Sequence, residues 1–214
     1  ATNSVNGTLL MPGEEFSYNK AIGKTTPENG YQQAGAYVAG EVVQEYGGGV
    51  CNISTILYRA AMRANLKSSL RYNHSMMVSY AEPSLDATVY EGEIDYRFVN
   101  TYDFPIYIEG YMTSNTIVFN IYGNKESFGN NTYELVNEVI EKLDYTTEYV
   151  NDNTLAEGSR VTTVNGMAGY RSKAYLVTYS NGVEVSREFI SSDYYAPMNT
   201  VVKVGTKKAT TTEN

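Results

Sequence analysis

The stretch Gly47-Gly48-Gly49-Val50-Cys51-Asn52-Ile53-Ser54-Thr55 leads from three glycines into an amphipathic run that ends near Leu66. Apolar side chains recur there at helical spacing, so we predict a helix over residues 52–66 with one face on a core. The glycines allow a sharp turn before that helix. They leave Cys51, the only cysteine of the chain, at or near the first helical turn.

The surroundings of Cys51 suggest a thiol nucleophile. Free backbone N–H groups and the helix dipole favour a thiolate at a helix start. The same N–H groups near Gly49 can receive the oxyanion of an acyl transfer. His74 is the only histidine and lies 23 residues after Cys51, in a predicted strand. Asp86 begins the next predicted strand, so we predict His74 as the base and Asp86 as the carboxylate that orients it.

Other interpretations of these residues remain open at this point. A lone cysteine behind glycines is often a small buried hydrophobe, and His74 beside Arg71 is compatible with an ordinary exposed strand residue. One Cys and one His would leave carboxylates to complete a metal site, and no usual ligand spacing is present. We therefore expect no metal and no cofactor.

The composition excludes several classes of partner. The 214 residues carry a net charge of -8, with 42% hydrophobic and 19% charged residues, so the chain is globular. Binding to nucleic acid or to anionic membranes is not expected, because phosphate contacts require clustered Lys and Arg. The sequence contains no apolar run near the roughly 20 residues that span a bilayer.

A polar, turn-rich stretch at 124–132 separates two parts of the chain. The predicted fold class is α+β: a mixed helix and antiparallel-sheet domain with Cys51 at a helix N-terminus, followed by an extended all-β module. The tail 207–214 is predicted to be disordered. In the first part we predict strands at 36–43, 70–80, 87–90, 94–99, 106–112 and 117–122. In the second part we predict strands at 133–140, 146–150, 161–164, 170–179 and 183–190.

Ordered motifs over residues 7–123 resemble the VanW domain family. They are Met11-Pro12-Gly13-Glu14-Glu15-Phe16-Ser17-Tyr18-Asn19, Ile22-Gly23, Asn29-Gly30-Tyr31, the stretch from Gly47 to Tyr58, Arg71-Tyr72-Asn73-His74-Ser75, Leu85-Asp86-Ala87-Thr88-Val89 and Asp95-Tyr96-Arg97-Phe98. Where many members have Gln after the cysteine, this chain has Asn52, which keeps an amide on a shorter side chain.

The second part, residues 131–206, is similar to the G5 domain, a small extended β module of bacterial surface proteins. The matching residues include Glu148-Tyr149, Gly166-Met167-Ala168-Gly169 and Val201-Val202-Lys203-Val204-Gly205-Thr206. This resemblance implies an all-β module that contacts a wall polymer or serves as a spacer or partner surface.

The VanW resemblance implies a peptidoglycan L,D-transpeptidase, since some clostridial VanW domains are associated with that activity. Its partners would be a donor tetrapeptide stem and an acceptor amine, and its location extracytoplasmic, anchored in the membrane or cell wall in the full-length protein. Two alternatives stay open: an L,D-carboxypeptidase that uses water, and a non-catalytic wall-binding or adhesion module. The expected site residues are the catalytic Cys51, His74 and Asp86, and for substrate Arg71, Gly49, Ser54, Thr55 and Tyr80. Arg71 has a second interpretation, as a structural partner of Asp86 or Asp95.

Overall fold

We describe the fold from a computed structural model, which covers residues 1–38 and 41–208. This part of the chain is mostly β with a few helices. The α-helices are α1 (Thr2–Val5), α2 (Tyr18–Ile22) and α3 (Val50–Arg63), and two 3-10 turns span Pro27–Asn29 and Lys125–Ser127. The strands of the first part are β1 (Thr8–Leu10), β2 (Glu15–Ser17), β3 (Gln33–Val38), β4 (Glu41–Tyr46), β5 (Ser68–Leu70), β6 (Arg97–Val99), β7 (Ile106–Met112) and β8 (Ile117–Tyr122). Those of the second part are β9 (Asn131–Leu143), β10 (Thr147–Ala156), β11 (Arg160–Val164), β12 (Gly169–Ser180), β13 (Val183–Tyr195) and β14 (Thr200–Lys207).

Helix α3 is the central element of the N-terminal domain. Its apolar stripe is buried, with Leu57, Tyr58 and Ala61 fully inaccessible to solvent. The helix contacts β8 of its own domain and β9 of the second domain. Small sheets surround it, with strand orders β1-β7-β8 and β2-β6-β5. The predicted helix and the predicted strands β7 and β8 are therefore confirmed, the helix beginning two residues before the predicted start.

Three strand predictions in this domain are wrong. The single strand predicted at 36–43 is instead divided between β3 and β4, which pair antiparallel as a hairpin; residues 39–40 of that range lie outside the described part. The strand predicted at 70–80 stops at Leu70, and 87–90 forms only isolated bridges. In residues 71–90, several backbone N–H groups donate hydrogen bonds to side chains and so are not available to a neighbouring strand. The His74 N–H donates to Asp86, and the Ala87 N–H donates to Thr55.

The C-terminal domain contains only strands and turns among its described residues. One sheet has the antiparallel order β13-β12-β9, and the other has the order β10-β14-β11. In the second sheet β10 and β14 run parallel. Strand β14 reaches Lys207, where the predicted tail was to begin. Residues 209–214 of that tail lie outside the described part.

One hydrophobic core joins the two domains. Leu135, Ala174 and Leu176 of the C-terminal domain belong to the same buried cluster as Leu57 and Met62 of α3. Burial of apolar surface is the main stabilising contribution to such an interface. The C-terminal domain is therefore packed firmly against the helix whose first turn carries Cys51.

Candidate active site

The turn before α3 determines where Cys51 lies. Gly49, the N-cap, has φ of 98°, a conformation that favours glycine. Gly48 packs closely on β3, and a Cβ there would lie 2.5 Å from the Ala34 carbonyl oxygen. The N–H of Asn52 donates to Gly49 O at 3.1 Å. Among the described residues, no backbone oxygen accepts from the N–H of Cys51, so this donor is available to an oxyanion.

The Cys51 sulfur is partly buried between α3 and the segment after Asp86. Its Sγ lies 3.3 Å from the Val89 carbonyl oxygen and 3.7 Å from Thr88 Oγ1. The thiol donates to Val89 when it is protonated, and the Thr88 hydroxyl can donate to a thiolate. Thr88 belongs to a motif that the sequence analysis quoted, yet its role was not predicted.

The His74 imidazole is held by Asp86. His74 Nδ1 lies 2.5 Å from Asp86 Oδ2, and the His74 backbone N–H donates to the same oxygen at 2.7 Å. The carboxylate side chain is 1% exposed. An ionised Asp86 requires the proton on Nδ1, which leaves Nε2 as the nitrogen that can exchange a proton with the thiol.

Cys51 and His74 influence each other's ionisation. Burial raises the pKa of the Cys51 thiol, but a hydrogen bond with His74, contacts with the Val89 backbone and the imidazolium charge together lower it below its ordinary 9.0. Burial lowers the pKa of His74, while hydrogen bonds with Asp86 and Cys51 raise it to about 9. Both shifts therefore favour a thiolate beside an imidazolium.

In the described part of the chain, the Cys51 thiol and the His74 imidazole do not reach full hydrogen-bond geometry with each other. The contacts of Sγ that have full hydrogen-bond geometry within the described residues are those with Val89 and Thr88. Catalytic hydrogen bonds are often long before substrate binds. The pKa of Asp86 is shifted as well. Burial raises it, but hydrogen bonding to His74 and the charge of Arg71 together lower it below its ordinary value.

Tyr80 contacts the imidazole directly. Its hydroxyl lies 3.1 Å from His74 Nε2, and the two rings meet edge to face at 5.9 Å. The side chain is partly exposed. Burial, followed by the negative charges of Cys51 and Asp86, raises the pKa of its phenol, so the hydroxyl keeps its proton. It donates to Nε2 of a neutral His74 and accepts from the Nε2–H of the imidazolium. This position fits a residue at the mouth of the site.

Arg71 does not fit the substrate-binding role expected for it. Its side chain is only 7% exposed and forms ion pairs with Asp86, at 3.0 Å, and with Asp193, at 2.7 Å. The structural pairing with Asp86 is therefore the arrangement found. Asp95 pairs with Arg97 instead. A guanidinium that already binds two carboxylates has no free edge for a substrate carboxylate.

Ser54 and Thr55 are also buried, at 0% and 1% exposure. Both hydroxyls donate to the Ala87 carbonyl oxygen, at 2.6 and 3.3 Å. Thr55 Oγ1 also accepts from the Ala87 N–H at 3.0 Å. We expected these residues to line the acyl site, but they instead fasten the segment that follows Asp86 to α3. That attachment places Thr88 and Val89 beside the sulfur.

The C-terminal domain also contributes to the site, which no sequence pattern predicted. Tyr195 donates a hydrogen bond to Asp86, and Asp193 pairs with Arg71. These residues lie more than a hundred positions from their partners, and no local pattern in the sequence links them.

The described residues contain no group of three or more His, Cys, Asp or Glu side chains arranged to hold a metal ion. No helix among them has the length and apolar character needed to cross a membrane.

Comparison with known proteins places both domains. Residues 1–122 match the family model described as VanW like protein, and residues 134–207 match the G5 domain. An uncharacterised Bacillus subtilis protein, YoaR, is 35% identical over 124 residues, which are 58% of this chain and 41% of YoaR. The vancomycin B-type resistance protein VanW of Enterococcus faecalis is 26% identical over 132 residues, covering 59% and 48%. The chain thus spans less than half the length of these two relatives.

Two solved G5 structures align with the second part. The G5 domain of IgA1 protease is 31% identical with a TM-score of 0.26, covering 38% of this chain and 99% of that one. HP0197-G5 is 20% identical with a TM-score of 0.21, covering 35% and 95%. Since its family model matches more than half of the residues, the chain belongs to the VanW-like protein family and carries a G5 domain after its VanW-like domain.

Proposed function

We propose that this protein is a cysteine L,D-transpeptidase that forms 3-3 cross-links between peptidoglycan stem peptides. One observation carries the proposal: Cys51, with a lowered pKa, starts a helix beside His74, whose Nδ1 is held by the buried Asp86. A nucleophile, a base and an orienting carboxylate in this order are the parts that acyl transfer requires.

In the first half-reaction the Cys51 thiolate attacks the carbonyl between the third residue and the terminal D-Ala of a tetrapeptide stem. The carbonyl oxygen becomes an oxyanion, and the unpaired N–H of Cys51 donates to it. As the C–N bond breaks, the His74 imidazolium gives its Nε2 proton to the departing amine. D-Ala leaves, and a thioester joins the tripeptide stem to Sγ.

In the second half-reaction a side-chain amine of diaminopimelate in another stem attacks the thioester carbon. The neutral His74 accepts the proton that the amine loses, and the C–S bond breaks. The products are the 3-3 cross-link and the original thiolate and imidazolium pair. Water in place of the amine would give the L,D-carboxypeptidase reaction from the same thioester.

Several features of the site support a peptide substrate that lies along the surface. Tyr80 is 37% exposed beside His74, and Cys51 is partly exposed at the helix start.

The vancomycin resistance named for the Enterococcus relative agrees with a cell-wall context. We propose an extracytoplasmic location for the full-length protein, with wall-polymer contact through the G5 domain.

The test combines a covalent probe with product analysis. A carbapenem acylates an active thiol enzyme, so intact-mass spectra of the wild-type chain should show a single adduct that maps to Cys51. Purified tetrapeptide muropeptides should yield 3-3 dimers with wild type and none with Cys51→Ala. The matched control is Ser114→Ala, which removes an exposed hydroxyl in the turn between β7 and β8 and retains the thiol.

The outcomes separate the candidate functions. Dimers support the transpeptidase, whereas tripeptide products without dimers would indicate the carboxypeptidase. Absence of any adduct, together with 3-3 dimers from Cys51→Ala, would reject Cys51 as the nucleophile. Wall binding without adduct or product would indicate a non-catalytic module.

A further inference from the structure

The end of β13, in the C-terminal domain, lies against the carboxylate that holds His74. Tyr195 is the last residue of β13 and is fully buried. Its hydroxyl donates to Asp86 Oδ1 and accepts from the Ser84 N–H at 2.7 Å. A phenol has one proton to donate. The proton of Tyr195 is therefore committed to the oxygen of Asp86 that does not contact His74.

Asp193, two residues before Tyr195, acts through Arg71. Its Oδ2 accepts from Arg71 Nη1 at 2.7 Å and from the Ser191 hydroxyl at 2.9 Å. Another edge of the same guanidinium donates to Asp86, from Nη2 to Oδ1 at 3.0 Å and from Nε to the carbonyl oxygen at 2.7 Å. Arg71 therefore bridges two carboxylates, one from each domain.

The backbone of the same strand end is bonded to both neighbours of His74. Asn73 Nδ2 donates to the Tyr194 carbonyl oxygen at 2.9 Å, and the Ala196 N–H donates to the Ser75 carbonyl oxygen at 2.8 Å. The segment that carries His74 is thus attached to the C-terminal domain on either side of the imidazole.

We propose that the G5 domain completes the active site, with Tyr195 and Asp193 as positioning residues that set the charge Asp86 presents to His74. The contribution of the G5 domain to catalysis rests on the proposed function. The two residues act with opposite sign. The Tyr195 hydroxyl shares the negative charge of Asp86 and so reduces its pull on the imidazolium. Asp193 neutralises Arg71, whose positive charge would otherwise compete with His74 for Asp86.

The remaining ionisable groups around the pair are few. Cys51 on α3 and Tyr80 face the imidazole, and the ring of Tyr58 on α3 lies under the Arg71 guanidinium at 5.4 Å. Tyr58 and Tyr80 stay protonated at neutral pH, because burial raises the pKa of each phenol. Cys51 is therefore the group whose titration overlaps that of His74.

The experiment follows the His74 imidazole by NMR in the full chain between pH 5 and pH 10.5. His74 is the only histidine, so its signals are unambiguous. All variants carry Cys51→Ser, which removes the overlapping titration. We expect Tyr195→Phe to raise the pKa of His74 and Asp193→Asn to lower it, each by about 0.5 unit or more. The control Tyr194→Phe alters the neighbouring tyrosine, whose side chain is 48% exposed, and should leave the titration unchanged.

Opposite shifts support the proposal. Movement of both variants in the same direction, or no movement beyond that of Tyr194→Phe, would overturn it, because a general loosening of the packing would shift the pKa of His74 in the same direction in both. If Asp193→Asn does not fold, the sign of the Tyr195→Phe shift decides alone. The titration requires no turnover, so a negative transpeptidase assay would reject the proposed reaction and leave this result to be judged separately.

Discussion

Replacing Asp86 with asparagine should lower the reactivity of the Cys51 thiol at neutral pH. The carboxylate is the main partner that raises the pKa of His74 from 6.5 to about 9 against the opposing effect of burial. That rise of about 2.5 pKa units corresponds to about 3 kcal/mol, at about 1.36 kcal/mol per unit. Cys51 shares in it. Without the carboxylate charge the imidazolium loses most of this stabilisation, and so does the thiolate beside it.

The effect can be measured as a rate. The imidazolium lowers the pKa of the Cys51 thiol, so its loss in Asp86→Asn should reduce the thiolate fraction, and iodoacetamide should alkylate this variant at least about 3-fold more slowly than wild type at pH 7. The rates should converge above pH 9. Asp103→Asn, which alters an exposed carboxylate, is the matched control. Equal rates for Asp86→Asn and wild type at pH 7 would refute the reasoning.

The same substitution should reduce stability, with a definite dependence on pH. Losing one member of a buried ion pair costs on the order of 3 kcal/mol, measurable by calorimetry. Folding lowers the pKa of Asp86, so the carboxylate stabilises the fold above its ordinary 3.8, and this contribution is lost as pH falls through the lower folded value. Wild type should therefore lose stability in that acid range, whereas Asp86→Asn should lack this part of the loss.

Three further substitutions test separate parts of the site. His74→Ala should move the alkylation of Cys51 to the range of an ordinary thiol, near pH 8 to 9; a wild-type profile in this variant would mean that the pair is not coupled. Ser54→Ala, which leaves the Ala87 carbonyl with one fewer donor, should lower the free energy of unfolding by about 1 kcal/mol without changing the alkylation profile. Gly48→Ala places a Cβ 2.5 Å from a backbone oxygen; it should lower both the melting temperature and the acylation rate, and an unchanged rate would show that the turn does not position the thiol.

Local patterns in the sequence predict the elements that local forces build. The apolar spacing of α3 and the alternation of β7 and β8 were sufficient, because each buries one face against a core. The glycines before Cys51 indicated its position at the helix start. The segment 71–90 could not be predicted in this way, since its backbone bonds to side chains such as Asp86 and Thr55 instead of to a neighbouring strand.

The residues of the site also differ in how far the sequence alone could predict their roles. Cys51, His74 and Asp86 were predicted as site residues because their residue types carry chemistry. Arg71 was predicted either to bind substrate or to pair with Asp86 or Asp95. The sequence does not reveal its second partner, Asp193, which lies in the other domain. Tyr195 is one of 21 tyrosines, and only the packing of β13 against the first domain distinguishes it from the others.

The most direct test of the account is to capture the acyl-enzyme with its own substrate. Wild-type protein incubated with a tetrapeptide muropeptide and quenched in acid should gain the mass of the tripeptide acyl group on Cys51, with release of one D-Ala for each adduct. Addition of a stem with a free diaminopimelate amine should then discharge the adduct into a 3-3 dimer. Formation of that dimer with no adduct on Cys51, or by the Cys51→Ala variant, would contradict the account.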